Sequence, residues 1–502
     1  MSAPGADDAG FGSPRKVGLI AGIALFAAML ALPVPGGLEP EGWRAAAVAV
    51  LMALWWITEA LPIPATALLP LVLFPLLGVA DINAAAAPYA HRLVFLFMGG
   101  FMIALAMQKW NLHRRIALMI IARVGTGPAS IVGGFMLATA LLSMWVSNTA
   151  TTLMMLPIGL SVIQLLGSGE QRARSPGADN FAIALMIGIA YGASLGGVGT
   201  LIGTPPNAFM AGFMEKTYGV EIGFAQWLLI GLPLVAVMLP LTWALLTRLV
   251  FPVGGAGATN GGAVIGDALR AMGPISRGER IVLAVFIATA LAWIFRPLIA
   301  GAVPGLNDST IAMAGALILF VIPVDLKAGR FALDWDWAKR LPWGVLILFG
   351  GGLSLAGAIK ATGLAAWIGA GTAGLAGLSV LLIVLAVTVM IILLTELTSN
   401  TATTATFLPI VAAVAIGLGE NPLLLVVPAA LAASHAFMMP VATPPNAIVF
   451  ASGHVTIPQM ASAGVWLNLI GVVVITGFAY SVVLAVLGIE PGVLPDWAVS
   501  PA

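Results

Sequence analysis

The sequence predicts an all-α polytopic membrane protein with about 11 transmembrane helices. Of its 502 residues, 60% are hydrophobic and only 8% are charged, whereas a soluble domain carries roughly 25% charged residues. Apolar runs of about 20 residues, long enough for a helix to cross a ~30 Å hydrocarbon core, recur along the whole chain. These runs are continuous rather than alternating, which favours a helical bundle over a membrane β-barrel.

The overall composition excludes several classes of partner and site. The net charge is +1, which gives no indication of a nucleic-acid partner. The chain contains no cysteine, and this excludes disulfides, thiolate catalysis and cysteine-based metal sites. At the N-terminus, Asp7 and Asp8 precede Arg15 and Lys16, and a long apolar run follows. The acidic leader and the length of that run predict a retained first helix rather than a signal peptide.

The apolar segments can be arranged as eleven spans and two hairpins. We predict spans near residues 17–34, 45–61, 65–79, 92–108, 181–214, 224–251, 281–299, 309–324, 343–360, 423–450 and 464–487. The charge-poor stretches 127–167 and 377–418 are predicted to be re-entrant hairpins, which enter and leave on the same side. This layout places 16 of the 21 lysines and arginines, among them Arg172 and Arg174, on the side of the N-terminus. By the positive-inside rule, this asymmetry favours a cytoplasmic N-terminus and the hairpin layout, since treating either hairpin as a single crossing would invert everything after it. The expected location is the inner (plasma) membrane.

The chain contains an internal repeat that includes both hairpins. The sequence Ser-Asn-Thr-Ala-Thr-Thr at residues 147–152 recurs at residues 399–404, an offset of 399 − 147 = 252. Thr-Pro-Pro-Asn-Ala at residues 204–208 recurs at 443–447, an offset of 443 − 204 = 239, which an extra polar loop around 168–180 largely explains. The first hairpin is predicted to open inside and the second outside. Inverted repeats with interrupted helices are typical of secondary transporters.

The repeated motifs predict a binding site near the middle of the membrane. Each Ser-Asn-Thr interrupts an apolar hairpin, and these residue types are good N-caps that can start the returning helix. Free N–H groups and the positive dipole end at such a helix start suit an anion. Thr-Pro-Pro also breaks a helix, and the carbonyls left unwound are ligands for a hard cation. Because no buried Arg or Lys is predicted near either triplet, bound cations are expected to neutralise a dianion.

The positions of four other features in the sequence predict their roles. The glycines at 99–100 and 350–352 are predicted to serve close helix packing. Glu59, near the inner end of a span, is predicted to be structural rather than an ion carrier. Glu396 precedes the second triplet and has Met144 as its repeat mate, so it either tunes a cation site or makes a buried structural hydrogen bond. His435 is predicted to be a packed neutral histidine, with its effect on coupling left open.

With these motifs in place, the chain resembles the divalent anion/sodium symporter family, which includes sodium-coupled di- and tricarboxylate carriers. The duplicated Ser-Asn-Thr is one hallmark. The stretch from Ala433 through Pro440 to Val449 looks like the sodium-symporter signature of that family, and the block from Trp55 to Pro62 is also similar. The resemblance covers most of the chain, from about Trp55 to Leu487.

The resemblance implies an inverted-repeat fold of eleven spans plus two re-entrant hairpins, a homodimer and an elevator mechanism. The Gly- and Ala-rich stretch 252–280 is predicted to be a flexible cytoplasmic linker between the two halves. A scaffold part would comprise residues 1–125 and, with this linker, 252–376. A transport part would comprise residues 126–251, with the inner hairpin, and 377–502, with the outer hairpin. The scaffold would hold the dimer contact while the transport part slides across the membrane.

The resemblance also implies the ligands of two sodium sites and of one substrate site. The first sodium site would be formed by Ser143, Ser147, Asn148 and Gly203. The second sodium site would be formed by Thr395, Ser399, Asn400 and Ala442. The substrate carboxylates would meet Ser147, Asn148, Thr149, Ser399, Asn400 and Thr401. The site would be closed by Thr204, Pro205, Thr443 and Pro444.

The expected function is sodium-coupled symport of a C4-dicarboxylate by alternating access, with sodium as the coupling ion and no organic cofactor. Two matching triplets favour a ligand with two similar anionic ends, although the motifs leave open a sodium-independent exchanger and a citrate or sulfate carrier. A channel has less reason for an inverted repeat. An enzyme is disfavoured because the chain has no cysteine and only four scattered histidines.

Overall fold

The computed structural model describes residues 13–125, 127–167, 176–253, 261–372, 374 and 377–499. Two arginines used in the charge count, Arg172 and Arg174, lie outside the described residues. The same holds for most of the predicted polar loop of the first repeat and for residues 254–260 of the predicted linker.

The first half of the chain forms twelve of the described helices. They are α1 (Ser13–Ala31), α2 (Pro40–Thr58), α3 (Ile63–Thr66), α4 (Leu69–Leu77), α5 (Ile82–Ala86), α6 (Arg92–Lys109), α7 (Leu112–Val124), α8 (Pro128–Ser143), α9 (Asn148–Gly167), α10 (Pro176–Val198), α11 (Pro205–Tyr218) and α12 (Phe224–Ala244). A 3₁₀ turn, Ala87–Ala90, leads into α6, and a π-helical turn, Leu245–Val250, extends α12.

The second half forms the remaining described helices and a small hairpin. The helices are α13 (Gly261–Ala271), α14 (Arg277–Ile299), α15 (Asp308–Val321), α16 (Trp335–Ala338), α17 (Trp343–Ala361), α18 (Leu364–Gly371), α19 (Val380–Thr395), α20 (Asn400–Gly417), α21 (Leu423–Ala433), α22 (Pro444–Phe450), α23 (Ile457–Phe478), α24 (Leu484–Leu487) and α25 (Asp496–Val499). A π-helical turn, Ala479–Val483, joins α23 to α24. Strands β1 (Pro323–Asp325) and β2 (Arg330–Phe331) pair antiparallel.

The predicted polytopic helical architecture is confirmed, and the structure refines the spans. Within the described residues, 7 helices are long and apolar enough to cross a membrane, and five shorter apolar helices accompany them. The predicted span 65–79 consists of two short helices, and the spans 181–214 and 423–450 are each broken at Thr-Pro-Pro. Apolarity alone does not mark these breaks, because apolar residues occur on both sides of each of them.

The sequence repeat corresponds to a repeat of helices. The helices α18, α19 and α20 start 252 residues after α7, α8 and α9, since 364 − 112, 380 − 128 and 400 − 148 all equal 252. The contacts between the two repeats are reciprocal: α11 packs against α20 and α21, while α22 packs against α9 and α10. Each repeat therefore packs the helix that follows its Thr-Pro-Pro break against the other repeat.

Two segments outside the predicted spans and hairpins form helices. The charge-rich stretch after α6 forms α7, whose Arg115 is buried and pairs with Glu279 at 2.6 Å. The predicted flexible linker 252–280 contains α13, which packs against α7 and α9 with Ile265 buried. That prediction was wrong for this segment, because an amphipathic helix with small residues has no long apolar run to mark it.

The predicted role of the paired glycines in close packing is confirmed. A Cβ at Gly99 would lie 2.6 Å from the backbone of Ala312 on α15, and a Cβ at Gly351 would overlap the carbonyl of Ala67. Hydrogen is therefore the side chain that these positions accommodate, and α6 and α17 lie in direct backbone contact with their neighbours.

We expect Gly351→Ala to destabilise the protein by about 1–3 kcal/mol, because the new methyl group must displace a backbone carbonyl. The matched control is Gly357→Ala on the same helix, where an added Cβ meets nothing within 4 Å. Thermal unfolding of both variants in detergent measures the difference. Equal unfolding temperatures would contradict the tight packing of α17.

Candidate substrate and cation site

One cavity of about 1240 Å³ is lined by both Ser-Asn-Thr turns and both Thr-Pro-Pro segments. The predicted site residues in its wall are Ser147, Asn148, Thr149, Gly203, Thr204, Pro205, Ser399, Asn400, Thr401, Ala442, Thr443 and Pro444. The two remaining predicted residues, Ser143 and Thr395, are fully buried behind the asparagines. The structure therefore brings every predicted site residue to one place.

In the first repeat, side-chain oxygens and glycine backbone converge on Asn148. Ser143 Oγ donates a hydrogen bond to Asn148 Oδ1 at 2.6 Å. A Cβ at Gly197 would lie 2.6 Å from the same Oδ1, and a Cβ at Gly203 would overlap the carbonyl of Gly197. Only glycine permits these approaches, so the Asn148 side chain lies directly against Gly197, and Gly203 lies directly against the Gly197 carbonyl.

In the second repeat, three oxygens converge around Thr395. Its Oγ1 lies 2.7 Å from Asn400 Oδ1 and 2.8 Å from the carbonyl oxygen of Ala433. A threonine hydroxyl has one proton, so it can donate to only one of these two acceptors. Clustered hydroxyl, amide and carbonyl oxygens are ligands for hard cations. The Ala433 carbonyl was missed by sequence reasoning, because a backbone oxygen leaves no mark in the sequence.

Both N-terminal and C-terminal helix ends lie around the cavity. The N-terminal ends of α9, α11, α20 and α22 start at the triplets and the Thr-Pro-Pro motifs, whereas the C-terminal ends of α8, α10, α19 and α21 precede the same breaks. Helix N-termini present N–H groups with a positive partial charge, and C-termini present carbonyls with a negative one. The breaks therefore provide both an anion-binding and a cation-binding environment.

The predicted side-chain capping at the triplets is corrected in part. Ser399 makes no side-chain capping hydrogen bond to α20, and Ser147 Oγ accepts only a long contact of 3.4 Å from the N–H of Ala150. Thr204 likewise makes no capping bond, whereas Thr443 accepts from the N–H of Asn446 at 3.3 Å. The first-turn amides of α20 are thus left for a ligand, since an N-cap side chain normally occupies one of them.

Two asparagines outside the predicted set of site residues donate hydrogen bonds to backbone carbonyls at the helix breaks. Asn207 Nδ2 donates to the carbonyls of Val198 at 3.2 Å and Thr200 at 2.8 Å. Its repeat mate, Asn446, donates to the carbonyl of Met439 at 3.0 Å. Both asparagines are fully buried. The signal was present in the sequence, because each is the fourth residue of the duplicated Thr-Pro-Pro-Asn.

The cavity also reaches Arg15 and Glu59, which form an ion pair at 3.3 Å with 49% and 50% of their side chains exposed. Both residues lie at a solvent-accessible edge of the cavity. The expectation that no buried Arg or Lys lies near the triplets holds for the described residues that line the cavity, since Arg15 is half exposed. Glu59 also terminates α2 in a left-handed conformation, with φ of 47°.

His435 lies behind the cavity rather than in its wall. Its ring is fully buried, and Nδ1 lies 2.7 Å from the carbonyl oxygen of Leu431. That contact requires a proton on Nδ1. The ring also packs edge-on against Phe437. These contacts are those of a packed histidine.

The overall fold is shared with two solved transporters at low sequence identity. The YdaH transporter of Alcanivorax borkumensis aligns with a TM-score of 0.56 and 13% identity, covering 95% of this chain and 99% of that one. MtrF of Neisseria gonorrhoeae aligns with a TM-score of 0.57 and 13% identity, covering 95% and 96%. At this identity, the similarity concerns the fold alone.

Sequence comparison gives much closer relatives. The sodium-dependent dicarboxylate transporter SdcS of Staphylococcus saprophyticus is 44% identical over 483 residues, which cover 95% of this chain and 93% of the relative. The protein of the same name from Staphylococcus aureus is 43% identical over 485 residues, which cover 96% and 93%. The family model described as the sodium:sulfate symporter transmembrane region matches residues 14–487. The chain therefore belongs to the sodium:sulfate symporter family of membrane transport proteins.

Proposed function

We propose that the protein is a sodium-coupled symporter of a small dicarboxylate of the succinate, fumarate or malate type. The observation that carries this proposal is the single cavity in which two Ser-Asn-Thr turns and two Thr-Pro-Pro breaks meet. Two relatives of the protein with more than 40% identity are named sodium-dependent dicarboxylate transporters. The family and these relatives are transport proteins, so the chain is a transporter and not an enzyme.

The duplicated chemistry of the cavity supports a substrate with two carboxylates. The N-terminal ends of α9 and α20 each offer amide donors beside an asparagine, at Asn148 and Asn400. Two equivalent donor sets match two separated anionic groups better than the single centre of a sulfate. We propose that Ser147, Thr149, Ser399 and Thr401 add hydroxyl contacts, and that Thr204, Pro205, Thr443 and Pro444 close the site.

The oxygen clusters behind the asparagines support sodium as the coupling ion. We propose a first sodium site at Ser143, Ser147, Asn148 and Gly203, and a second at Thr395, Ser399, Asn400 and Ala442. The half-exposed Arg15 is the one basic side chain among the described residues of the cavity wall. Since it is paired with Glu59, bound cations are needed to offset the charge of a dianion.

We propose that transport follows an elevator mechanism in an inverted repeat with two re-entrant hairpins. Residues 126–251 and 377–502 would move as the transport part against a scaffold of residues 1–125 and 252–376, in a homodimer. The reciprocal packing of α11 and α22 on the opposite repeats supports a single moving body. With a cytoplasmic N-terminus, the cavity edge at Arg15 and Glu59 faces the cytoplasm.

A cluster of ion pairs on the proposed outer side supports a cavity that opens only to the cytoplasm. Glu221, in the loop between α11 and α12, lies 3.2 Å from Arg92 and 2.7 Å from Arg296. Arg92 also pairs with Glu215, and Arg296 pairs with Asp308 at 3.0 Å. Burial raises the pKa of Glu221, but the two arginines outweigh it and lower the pKa overall. In the proposed division, this charged cluster joins the transport part to the scaffold and closes the outer side.

The first test is uptake of labelled succinate into proteoliposomes with and without an inward sodium gradient. We expect sodium to raise the initial rate at least about tenfold, because the cation sites must fill before a dianion can bind. Uptake that ignores sodium but requires dicarboxylate inside the vesicles would instead identify an exchanger. Stronger competition by citrate or sulfate than by fumarate would move the substrate assignment to those anions.

A second test addresses the two asparagines. We expect Asn148→Ala and Asn400→Ala each to lower succinate uptake more than about tenfold while reducing the free energy of unfolding by only about 1 kcal/mol. The matched control is Ser161→Ala on α9, whose hydroxyl bonds to its own helix at Pro157. Wild-type uptake by both asparagine variants would contradict the site assignment.

A third test addresses the outer ion pairs. We expect Glu221→Gln to weaken the closed outer side by about 1 kcal/mol, since partly exposed ion pairs contribute about that much. The chain has no native cysteine, so a single Leu397→Cys reporter in the cavity wall can be labelled by an impermeant reagent. Outside labelling should rise severalfold. Asp267→Asn, which removes a pair within α13, should leave it unchanged; an equal rise in both variants would refute the role of the cluster.

A further inference from the structure

We propose that Glu396 is a positioning residue for the second cation site, and that its fixed negative charge makes this site bind its cation more tightly than the first. The inference rests on the proposed sodium coupling. It assigns the two sodium sites unequal roles although their ligand sets are nearly identical.

The Glu396 carboxylate is buried, at 4% exposure, and surrounded by donors. Its Oε1 accepts hydrogen bonds from the N–H of Phe437 at 2.7 Å and of Met438 at 3.0 Å, and from Asn468 Nδ2 at 2.7 Å. Its Oε2 accepts from the N–H of Met438 at 3.0 Å and of Met439 at 3.1 Å. Every partner donates, which is the environment of an ionised, acceptor-only carboxylate.

These hydrogen bonds hold the unwound segment that connects α21 to α22. Three successive amides of that segment point at one side chain, so they need no helical partner. The carbonyl of Met439, the last of the three residues, accepts from the N–H of Ala442 at 3.2 Å. Ala442 is a proposed cation ligand, and the ligand Thr395 directly precedes Glu396 in the chain. The carboxylate thus connects two separate parts of the second site.

The first repeat has no equivalent charge. The repeat mate of Glu396 is Met144, since 396 − 252 = 144. There the hydroxyl of Thr200 donates to the main-chain carbonyl of Met144, and the methionine side chain packs beside Gly199. Asn207 and Asn446 each donate a hydrogen bond to a backbone carbonyl at the break of their own repeat. Since the first repeat forms its break without an acid, Glu396 is specific to the second repeat and is not a general requirement of the fold.

The charge of Glu396 is not balanced by a basic side chain. Among the described residues, none of the ion pairs within 4.0 Å involves Glu396. Amide dipoles stabilise the charge but leave its sign unchanged. The C-terminal ends of α19 and α21, at Thr395 and Ala433, add negative partial charge in the same region. A cation among the oxygens of Thr395, Asn400 and Ala433 is therefore favoured electrostatically.

The test measures sodium dependence of succinate uptake by the full chain in proteoliposomes. For Glu396→Gln we expect the sodium concentration for half-maximal uptake to rise about tenfold, with the succinate KM at saturating sodium changed less than about twofold. Glu396→Asp keeps the charge and should restore sodium dependence to near that of the parent chain. Met144→Leu is the matched control in the first repeat and should leave the half-maximal sodium concentration unchanged.

Each alternative outcome has a distinct meaning. Uptake by the parent chain that ignores sodium would refute the proposed coupling itself. A sodium-dependent parent with an unshifted Glu396→Gln variant, or a variant that loses only maximal rate, would overturn the role of Glu396 alone. If Glu396→Gln fails to fold, a second measurement tests the proposal. It is the rise in unfolding temperature that sodium produces in the variants Glu396→Asp and Asn468→Ala. Both keep the carboxylate and should retain that rise; its loss in both would also overturn the proposal.

Discussion

The structure depends on one constraint: backbone N–H and C=O groups inside a membrane must find partners within the protein. Most of the chain satisfies this constraint with continuous helices. The helices are interrupted at both Ser-Asn-Thr triplets and at both Thr-Pro-Pro motifs, and these four breaks border the same cavity. A break there leaves donors on one side and acceptors on the other, and these polar groups are the ones that the proposed substrate and cation sites use.

The breaks are stable because particular side chains replace the lost helical partners. Asn207 and Asn446 donate to the carbonyls released at the Thr-Pro-Pro breaks. Glu396 accepts from three amides released in the second repeat. Gly197 allows the Asn148 side chain to lie against the backbone, and Gly203 allows the chain to lie against the Gly197 carbonyl. The geometry of the cavity therefore comes from buried residues behind its wall as much as from those that line it.

The duplicated architecture also explains where the two repeats differ. Equivalent helix ends and asparagines give each repeat the same basic binding chemistry, which supports a ligand with two similar ends. The buried acid of the second repeat, Glu396, has the uncharged Met144 as its counterpart in the first, so the two proposed cation sites would differ in charge. The cluster around Glu221 occurs on the opposite side from the cavity edge at Arg15 in the proposed orientation. A transporter needs such differences, because its two sides must close at different times.

The helical membrane class, the repeat and the breaks at both triplets are readable from the sequence, because they follow from composition and from local rules for prolines, caps and apolar runs. Resemblance to a known family added the remaining predicted site residues, such as Gly203 and Ala442, which local rules do not single out. The sequence does not show which carbonyls approach Thr395, what Glu396 holds, or that α7 and α13 are helices; these depend on the folded structure. The physical reason is that every residue carries the same backbone carbonyl and amide, so their pairing depends on how distant segments pack and leaves no pattern in the residue types.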